Sequence, residues 1–518
     1  MTLPHTMPDP LPPFASTTPA AGGELRLHPW SWLFVLLTQL RQVLIPLVAL
    51  LVFGRGDRWE FFGVAAAVGL SLYALVYSIG FRYRLLGEEL IVREGIFNRT
   101  ERHIPVARIH NVVQRRNPLH RAFGVTELRL ESAGGVKPEA VMNVISRAEA
   151  DRLERVLREG AAQASGEDAG DGQPAEILHR LGLGELARLG ISSNRGLLAL
   201  AALWAASWQF DIDWSDLPLF RRVASSLKRG ALGFVGDHGW ISVGLAALGT
   251  LVVLWLALRL LSVVFAIVTF YGFRLERQGQ RIVSEAGLLT RTRAGATPRR
   301  IQRVTVRQSF LLARMRRVSV QVTLAGGMAQ EGEKESRLRW LAPIATLDAA
   351  RRLIAEVRPE ADWLRDDWRP LHPRAAWRMF KWPALGVFLV VGLIGTINPW
   401  ALAAWGLVPW LWFDARGRAR FGGYAVDSQT FAVREGWLTR TWDSVRLNDI
   451  QSVRLRRTPG DSRAGMARVA VASAGSSDLV GSPVEVACLY LAEAEALCDR
   501  LRDEVSFRAE KLDGIALL

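Results

Sequence analysis

The sequence predicts a membrane protein in which α-helical hairpins alternate with three copies of one small β-rich domain. Three observations predict it. Three apolar zones of membrane-spanning length divide the chain. The three polar segments that follow them open with short alternating runs typical of strands and close with a helical pattern. Those three segments also align with one another without a gap over about 40 residues.

The apolar zones set the membrane part. The first, Trp30 to Phe81, reads as two helices, about Trp30–Phe53 and Trp59–Gly80, joined by Gly54-Arg55-Gly56-Asp57-Arg58. The second, Arg195 to Phe273, has a Leu-, Ala- and Trp-rich run over 197–210, a mixed-charge loop, and a long apolar stretch from Gly239 to Phe273. The third, Trp382 to Phe413, is broken at Ile397-Asn398-Pro399-Trp400, and Asn-Pro is a strong turn signal. A spanning helix takes about 20 apolar residues. The first two zones supply two each, and the third is either a short pair or a shallow re-entrant hairpin. Many of the 19 Trp flank these runs, where indole rings prefer the headgroup level. Residues 1–24 are rich in Pro, Thr and Ala and read as a disordered tail, with the first apolar segment as an uncleaved anchor.

The polar segments are Arg82–Asn194, Arg274–Lys381 and Asp414–Leu518. In the first, strands are expected at Leu90–Arg93, Thr100–Ile104, Ile109–Gln114 and Thr126–Glu131. Terminal helices are expected at Ala148–Arg158, Leu347–Val357 and Ala492–Val505. This pattern divides the chain into a tail (1–27), hairpin 1 (28–81), domain 1 (82–160), a linker (161–190), hairpin 2 (191–273), domain 2 (274–360), a juxtamembrane segment (361–381), hairpin 3 (382–413), domain 3 (414–507) and a tail (508–518). The linker core, 164–174, is polar and Gly-rich.

The repeat is anchored at Gly95, Gly287 and Gly436. Each is followed at fixed offsets by Arg-Thr (Arg99-Thr100, Arg291-Thr292, Arg440-Thr441), Ile (Ile109, Ile301, Ile450), Val (Val112, Val304, Val453), Arg (Arg115, Arg307, Arg456) and Ala-Gly (Ala133-Gly134, Ala325-Gly326, Ala474-Gly475). The anchoring glycine fits a hairpin turn needing positive φ. Ile and Val three apart fall on opposite faces of an ideal strand, so either both faces are buried or a bulge intervenes. The repeated arginines fit either an anion contact, since a guanidinium fork matches phosphate, or a structural hydrogen bond.

The run from Phe81 to Val112, Phe-Arg-Tyr-Arg-Leu through Arg-Glu-Gly-Ile-Phe to Ile-Pro-Val-Ala-Arg-Ile-His-Asn-Val, resembles the bacterial pleckstrin-homology domain of membrane proteins. The whole chain is similar to the larger YdbT-type members, in which such domains alternate with helix pairs. The second copy keeps Pro298-Arg299-Arg300-Ile301-Gln302; the third, with Leu447-Asn448-Asp449-Ile450-Gln451, lacks the Pro and is the most drifted. The resemblance implies PH-like domains: a seven-stranded, strongly bent β-sandwich capped by a C-terminal helix. Fold alone does not carry a ligand across.

Half the residues are hydrophobic, yet the net charge is +15, and the excess lies in the domains. Domains and both termini are therefore expected in the cytoplasm at the inner membrane, against anionic lipid. The candidate anion, lipid or structural residues are Arg99, Arg108, Arg115, Arg291, Arg300, Arg307, Arg440 and Arg456, with Arg116, Arg299, Arg303, Arg454 and Arg457 beside them. Arg41 and Arg259 interrupt apolar runs, and each must snorkel, pair or face the bundle interior. The function expected is a non-enzymatic scaffold for membrane lipids and a membrane or cytoplasmic protein partner. The alternative is a component of transport, export or antimicrobial resistance, with those two arginines lining a path. No phosphate-cradling loop, HExxH, GxSxG or Cys-His pair is present, so no catalysis and no cofactor are expected. Nucleic acid is not an expected partner. His103, His110 and His120 are scattered by strand geometry, and Cys488 and Cys498 lack His partners, so neither group predicts a metal site.

Overall fold

The computed structural model describes residues 25–26, 81–86, 89–95, 99–106, 109–132, 139–165, 175–198, 248–324, 338–473 and 483–516, with single positions at 31, 34, 69, 72, 201, 205, 225 and 245. Apart from those single positions and Phe81, hairpin 1 lies outside the described residues, as do Arg41, Arg108, the linker core beyond Ser165, the 206–224 and 226–244 stretches and the three Ala-Gly pairs.

Each copy contributes seven strands. The first has β1 (Leu25–Arg26), β2 (Arg82–Leu86), β3 (Glu89–Glu94), β4 (Thr100–Pro105), β5 (Ile109–Arg116), β6 (Val125–Ser132) and β7 (Ala140–Ser146). The second has β8 (Glu176–Arg180), β9 (Arg274–Gln278), β10 (Arg281–Ala286), β11 (Arg291–Ala296), β12 (Ile301–Ser309), β13 (Arg317–Leu324) and β14 (Trp340–Thr346). The third has β15 (Arg369–Pro370), β16 (Gly423–Val426), β17 (Thr430–Glu435), β18 (Thr439–Arg446), β19 (Ile450–Arg456), β20 (Met466–Ser473) and β21 (Val484–Tyr490). The expected terminal helices are α1 (Arg147–Ser165), α4 (Leu347–Val357) and α7 (Leu491–Ala516). Between them lie α2 (Leu183–Ser192), α3 (Leu248–Phe270), α5 (Ala375–Ile397) and α6 (Leu407–Phe421).

The chain forms two compact units: Met1–Ile109 with Asn143–Ile145 and Arg155–Glu167, and the remainder. In the first unit, β1 to β4 form an antiparallel sheet that buries Tyr83, Leu90, Val92 and Ile104. The second unit holds the cores of the second and third copies. The second core joins Leu275 and Ile282 of one half-sheet to Val304, Val306, Val318 and Val320 of the other. Helix α4 closes it with Ala350, Leu353, Ile354 and Val357, the i, i+3, i+4, i+7 stripe of an amphipathic helix. The third core repeats the scheme with Phe431, Val445, Val469 and Val486, closed by Ala494, Leu497 and Leu501 of α7.

The repeated residues have local reasons. Gly95, Gly287 and Gly436 all take positive φ (86°, 119° and 94°), as the turn required. A Cβ on Gly287 would stand 1.9 Å from the Thr290 carbonyl oxygen. The register slips between Ile301 and Arg303 and between Ile450 and Ser452, so a bulge separates the repeated Ile from the repeated Val. The bulge turns Ile301 and Val304 toward one core.

Two features depart from the expected organisation. First, a short strand precedes each apolar zone and pairs antiparallel with the strand that follows it. Leu25 lies opposite Tyr83, Arg180 opposite Arg274, and Arg369 opposite Tyr424. Residues 25–26 thus belong to a sheet rather than to the tail, 176–180 and 183–192 are strand and helix rather than linker, and 369–370 are strand within the juxtamembrane segment. These strands are two to five residues long and carry little alternation, so they exist because a partner edge is present. Second, α5 starts seven residues before Trp382 and α6 continues to Phe421. The apolar limits mark only the part without charges. The charged ends are held by the domain, through Arg378 to Asp461 at 2.6 Å and through Gly417 against the Trp437 ring. The break falls at Asn398, as expected, and a 3-10 stretch Pro399–Gly406 leads into α6.

Two described helices are long and apolar enough to cross a membrane, α3 and α5. Their apolar side chains are largely exposed, among them Val253, Leu260, Leu389 and Leu393, unlike those of a soluble core helix. Trp377 and Phe380 at the start of α5 pack on Trp412 of α6, and Phe388 stacks on Trp405.

Candidate functional site

The repeated arginines converge on the places where one copy meets the next. The order β7-β6-β5-β11-β10-β9-β8 makes one continuous sheet from the second half of copy one and the first half of copy two. The order β14-β13-β12-β18-β17-β16-β15 does the same for copies two and three. At the first junction Gln114, Arg115 and Arg116 lie opposite Arg293, Thr292 and Arg291. At the second, Val306, Arg307 and Gln308 lie opposite Trp442, Thr441 and Arg440, at the same repeat positions. The register is therefore identical, and in both junctions the later repeated Arg of one copy faces the repeated Thr of the next.

The second junction is also neutralised. Strand alternation puts Val304 and Val306 in the second core, while Arg303, Thr305 and Arg307 share the face of Val445 and the third core. Asp443, almost fully buried, accepts from Arg303 Nε at 2.7 Å and from Thr305 Oγ1 at 2.5 Å. Beyond it, the fully buried Arg358 at the end of α4 donates to the carbonyl of the repeated Ile301 at 2.6 Å and lies 3.9 Å from Asp449. Burial, and after it the nearby Arg446, pulls this guanidinium down to about 10, so it remains a cation at neutral pH. Arg440 stacks over Phe421 with 5.1 Å to the ring centre. Arg299 and Arg300 lie in the short turn that leads into β12. Arg99, directly before β4, and Arg456, on β19, are the remaining repeated arginines, and both are exposed.

Arg259 pairs with the end of a neighbouring helix. Its Nη1 donates to the carbonyls of Ile191 and Ser193, both at 2.9 Å, and to Asn194 Oδ1 at 3.2 Å. These are groups at the C-terminus of α2, where unpaired carbonyls and the helix dipole favour a cation. The helix packs closely there: a Cβ on Gly190 would meet Val263 at 2.3 Å, and Ser262 Oγ accepts from the Gly196 amide. At its other end Glu185 holds Arg317 of β13 through two hydrogen bonds of 3.0 and 3.1 Å. That contact keeps the Glu185 carboxyl below its ordinary range.

A cleft of about 570 Å³ opens at the foot of α3. Arg121, Arg180, Arg274 and Arg291 line it, together with Tyr271, Leu183 and Leu288, and its described lining contains no acid. The arginines come from four separate elements, so only Arg291, through the repeat, was visible in the sequence. Its position directly after Phe270 puts four guanidinium groups where a helix of spanning length leaves the apolar zone.

Among the described residues no group of three or more metal-ligating side chains occurs. His103 contacts Glu89 and Glu101, and His120 is buried in a short helical turn. Cys488 and Cys498 are free and buried, and burial pushes both thiols up.

Three seven-stranded copies, the second and third each closed around its own core and consecutive copies sharing a sheet, interleaved with apolar helices, define a repeat protein of the pleckstrin-homology type. The chain belongs to the bacterial PH domain family, whose pattern matches three times, at residues 34–161, 230–358 and 384–505. It is similar to the UPF0699 transmembrane protein YdbT of Bacillus subtilis (strain 168), 23% identical over 409 residues, which cover 74% of this chain and 79% of that protein. No solved structure matches the chain.

Proposed function

We propose that this protein is a non-catalytic membrane scaffold, in which three helical hairpins hold three PH-like domains at the cytoplasmic face of the inner membrane and the basic cleft binds anionic lipid headgroups. The cleft carries the reading: four arginines, of which Arg291 pairs with Glu285 outside the lining, and no acid in the lining itself, beside exposed Tyr271 and Leu183, at the end of an apolar helix. Arginine forks match phosphate oxygens, and each basic side chain near an anionic leaflet adds about 1 kcal/mol. The strand pairs across each apolar zone support the hairpin arrangement. Arg180 opposite Arg274 and Arg369 opposite Tyr424 hold the entry and exit of a zone at one sheet edge, so the chain leaves and returns on the same side.

The test is native mass spectrometry of the full protein taken from vesicles of mixed phosphatidylglycerol and phosphatidylcholine. Retained lipid should be enriched in phosphatidylglycerol, and R180A/R274A should remove most of that enrichment. Equal retention of the two lipids, or enrichment untouched by the double variant, sinks the proposal.

A further inference from the structure

Two strands carry junction residues without taking part in either junction. Within the chain, β5 takes β11 and β12 takes β18 in one register. The two strands left over are β19 and β4, each the last strand of its own sheet among the described residues. Arg456 occupies on β19 the place that Arg115 and Arg307 occupy at the junctions. Thr100 occupies on β4 the place of Thr292 and Thr441. Thr100, Glu101, Arg102 and His103 are all exposed, although they alternate between the two faces of the strand. An open groove of about 860 Å³ beside β19 is lined by Val453, Arg454, Leu455 and Arg456, residues of both faces of the strand, with Pro483 and Glu485 of the β21 end and Arg502 of α7.

We propose that β19 of one chain pairs antiparallel with β4 of a second copy, forming between chains the junction already built twice within each. The shared register sets Leu455 opposite Glu101, Arg456 opposite Thr100 and Arg457 opposite Arg99. The last pair has a counterpart in Arg116 opposite Arg291. Such a contact is head-to-tail, so it extends into a row or ring instead of stopping at a dimer. Charge tunes it: Arg454 falls opposite Arg102, where the second junction has Thr305 opposite Asp443. Like charges across a strand pair oppose pairing. The contact is therefore weak in dilute detergent and is favoured by confinement in a membrane. This inference stands apart from lipid binding, since none of its residues lines the basic cleft.

Cysteine crosslinking of the full protein in vesicles tests it, with the two native thiols buried. L455C and E101C proteins, oxidised separately, should give little dimer; co-reconstituted, they should give a strong dimer band. The double variant L455C/E101C should give a ladder. R102D, which puts an acid opposite Arg454, should raise the mixed yield several-fold, a gain that a misfolded variant does not produce. Mixed yield no higher than that of the separate proteins, dimers formed as readily by either variant alone, or no response to R102D overturns the proposal. So does finding β19 occupied by a strand of another protein.

Discussion

The two internal junctions share a register and differ in chemistry. The first pairs three residues on each side and sets Arg116 against Arg291 with no acid between the strands. Instead, Arg116 Nη2 donates to Gln114, whose amide donates to Asp151 and Glu154 of α1, and Arg291 turns to Glu285 on its own sheet. The second pairs seven residues on each side, buries Asp443 between Arg303 and Thr305, and adds Arg358 at its far end. Backbone pairing thus sets the geometry of the array, and side chains set the strength of each joint. The first junction has the character of a compliant joint and the second that of a fixed one.

Removing the buried guanidinium should weaken the fixed joint most. R358A leaves the Ile301 carbonyl without its donor and a cavity in the core, a loss of about 3–5 kcal/mol. R358M fills the space and should lose less. Denaturant unfolding of the detergent-solubilised protein, followed by tryptophan fluorescence, reads both. A smaller loss, about 1.5–3 kcal/mol, is expected for D443N, which removes the charge that Arg303 and Thr305 face. Hydrogen exchange sharpens the contrast: β12 and β18 amides should exchange faster in D443N while β5 and β11 are unchanged. Equal acceleration at both junctions would show that they are not independent. The smallest effect belongs to the brace between α2 and β13. E185Q should cost about 1–2 kcal/mol at neutral pH. The Glu185 carboxyl is held below its ordinary 4.5, so its stabilisation is complete above that value and fades as pH falls through the lowered one. Wild type and E185Q should therefore converge in stability under acid.

The sequence carried the parts that repeat locally. Alternation marked β3 to β6, and the apolar stripe marked Leu347–Val357 to the residue. The glycine rule located the positive-φ turns at Gly95, Gly287 and Gly436. The Ile–Val spacing left two readings, and only the register, with its slip after Ile301, chose the bulge. The strand pairs flanking the apolar zones escaped notice for a related reason. Two residues such as Arg369 and Pro370 have no period, and they become a strand only because Tyr424 and Gly423 lie opposite.

Arg259 shows the same division at a single position. Its cost in an apolar run was legible, and the acceptors that offset it, 65 to 68 residues earlier in the chain, were not. The basic cleft likewise gathers Arg121, Arg180, Arg274 and Arg291 from four elements separated by up to 170 residues, and no spacing announces such a group.

By itself, then, the sequence determined that three copies of one β-rich unit alternate with apolar zones, because periodicity, turn chemistry and hydropathy act over neighbouring residues. It also showed that one Arg-Thr pair and one later Arg recur in every copy. Only the tertiary structure decided what they do: the later Arg of copies one and two meets the Thr of copies two and three, at strand edges brought together by hydrogen bonds between segments some 130 to 180 residues apart. A strand edge has no partner written into its own sequence, so the joint exists only once two copies are folded side by side.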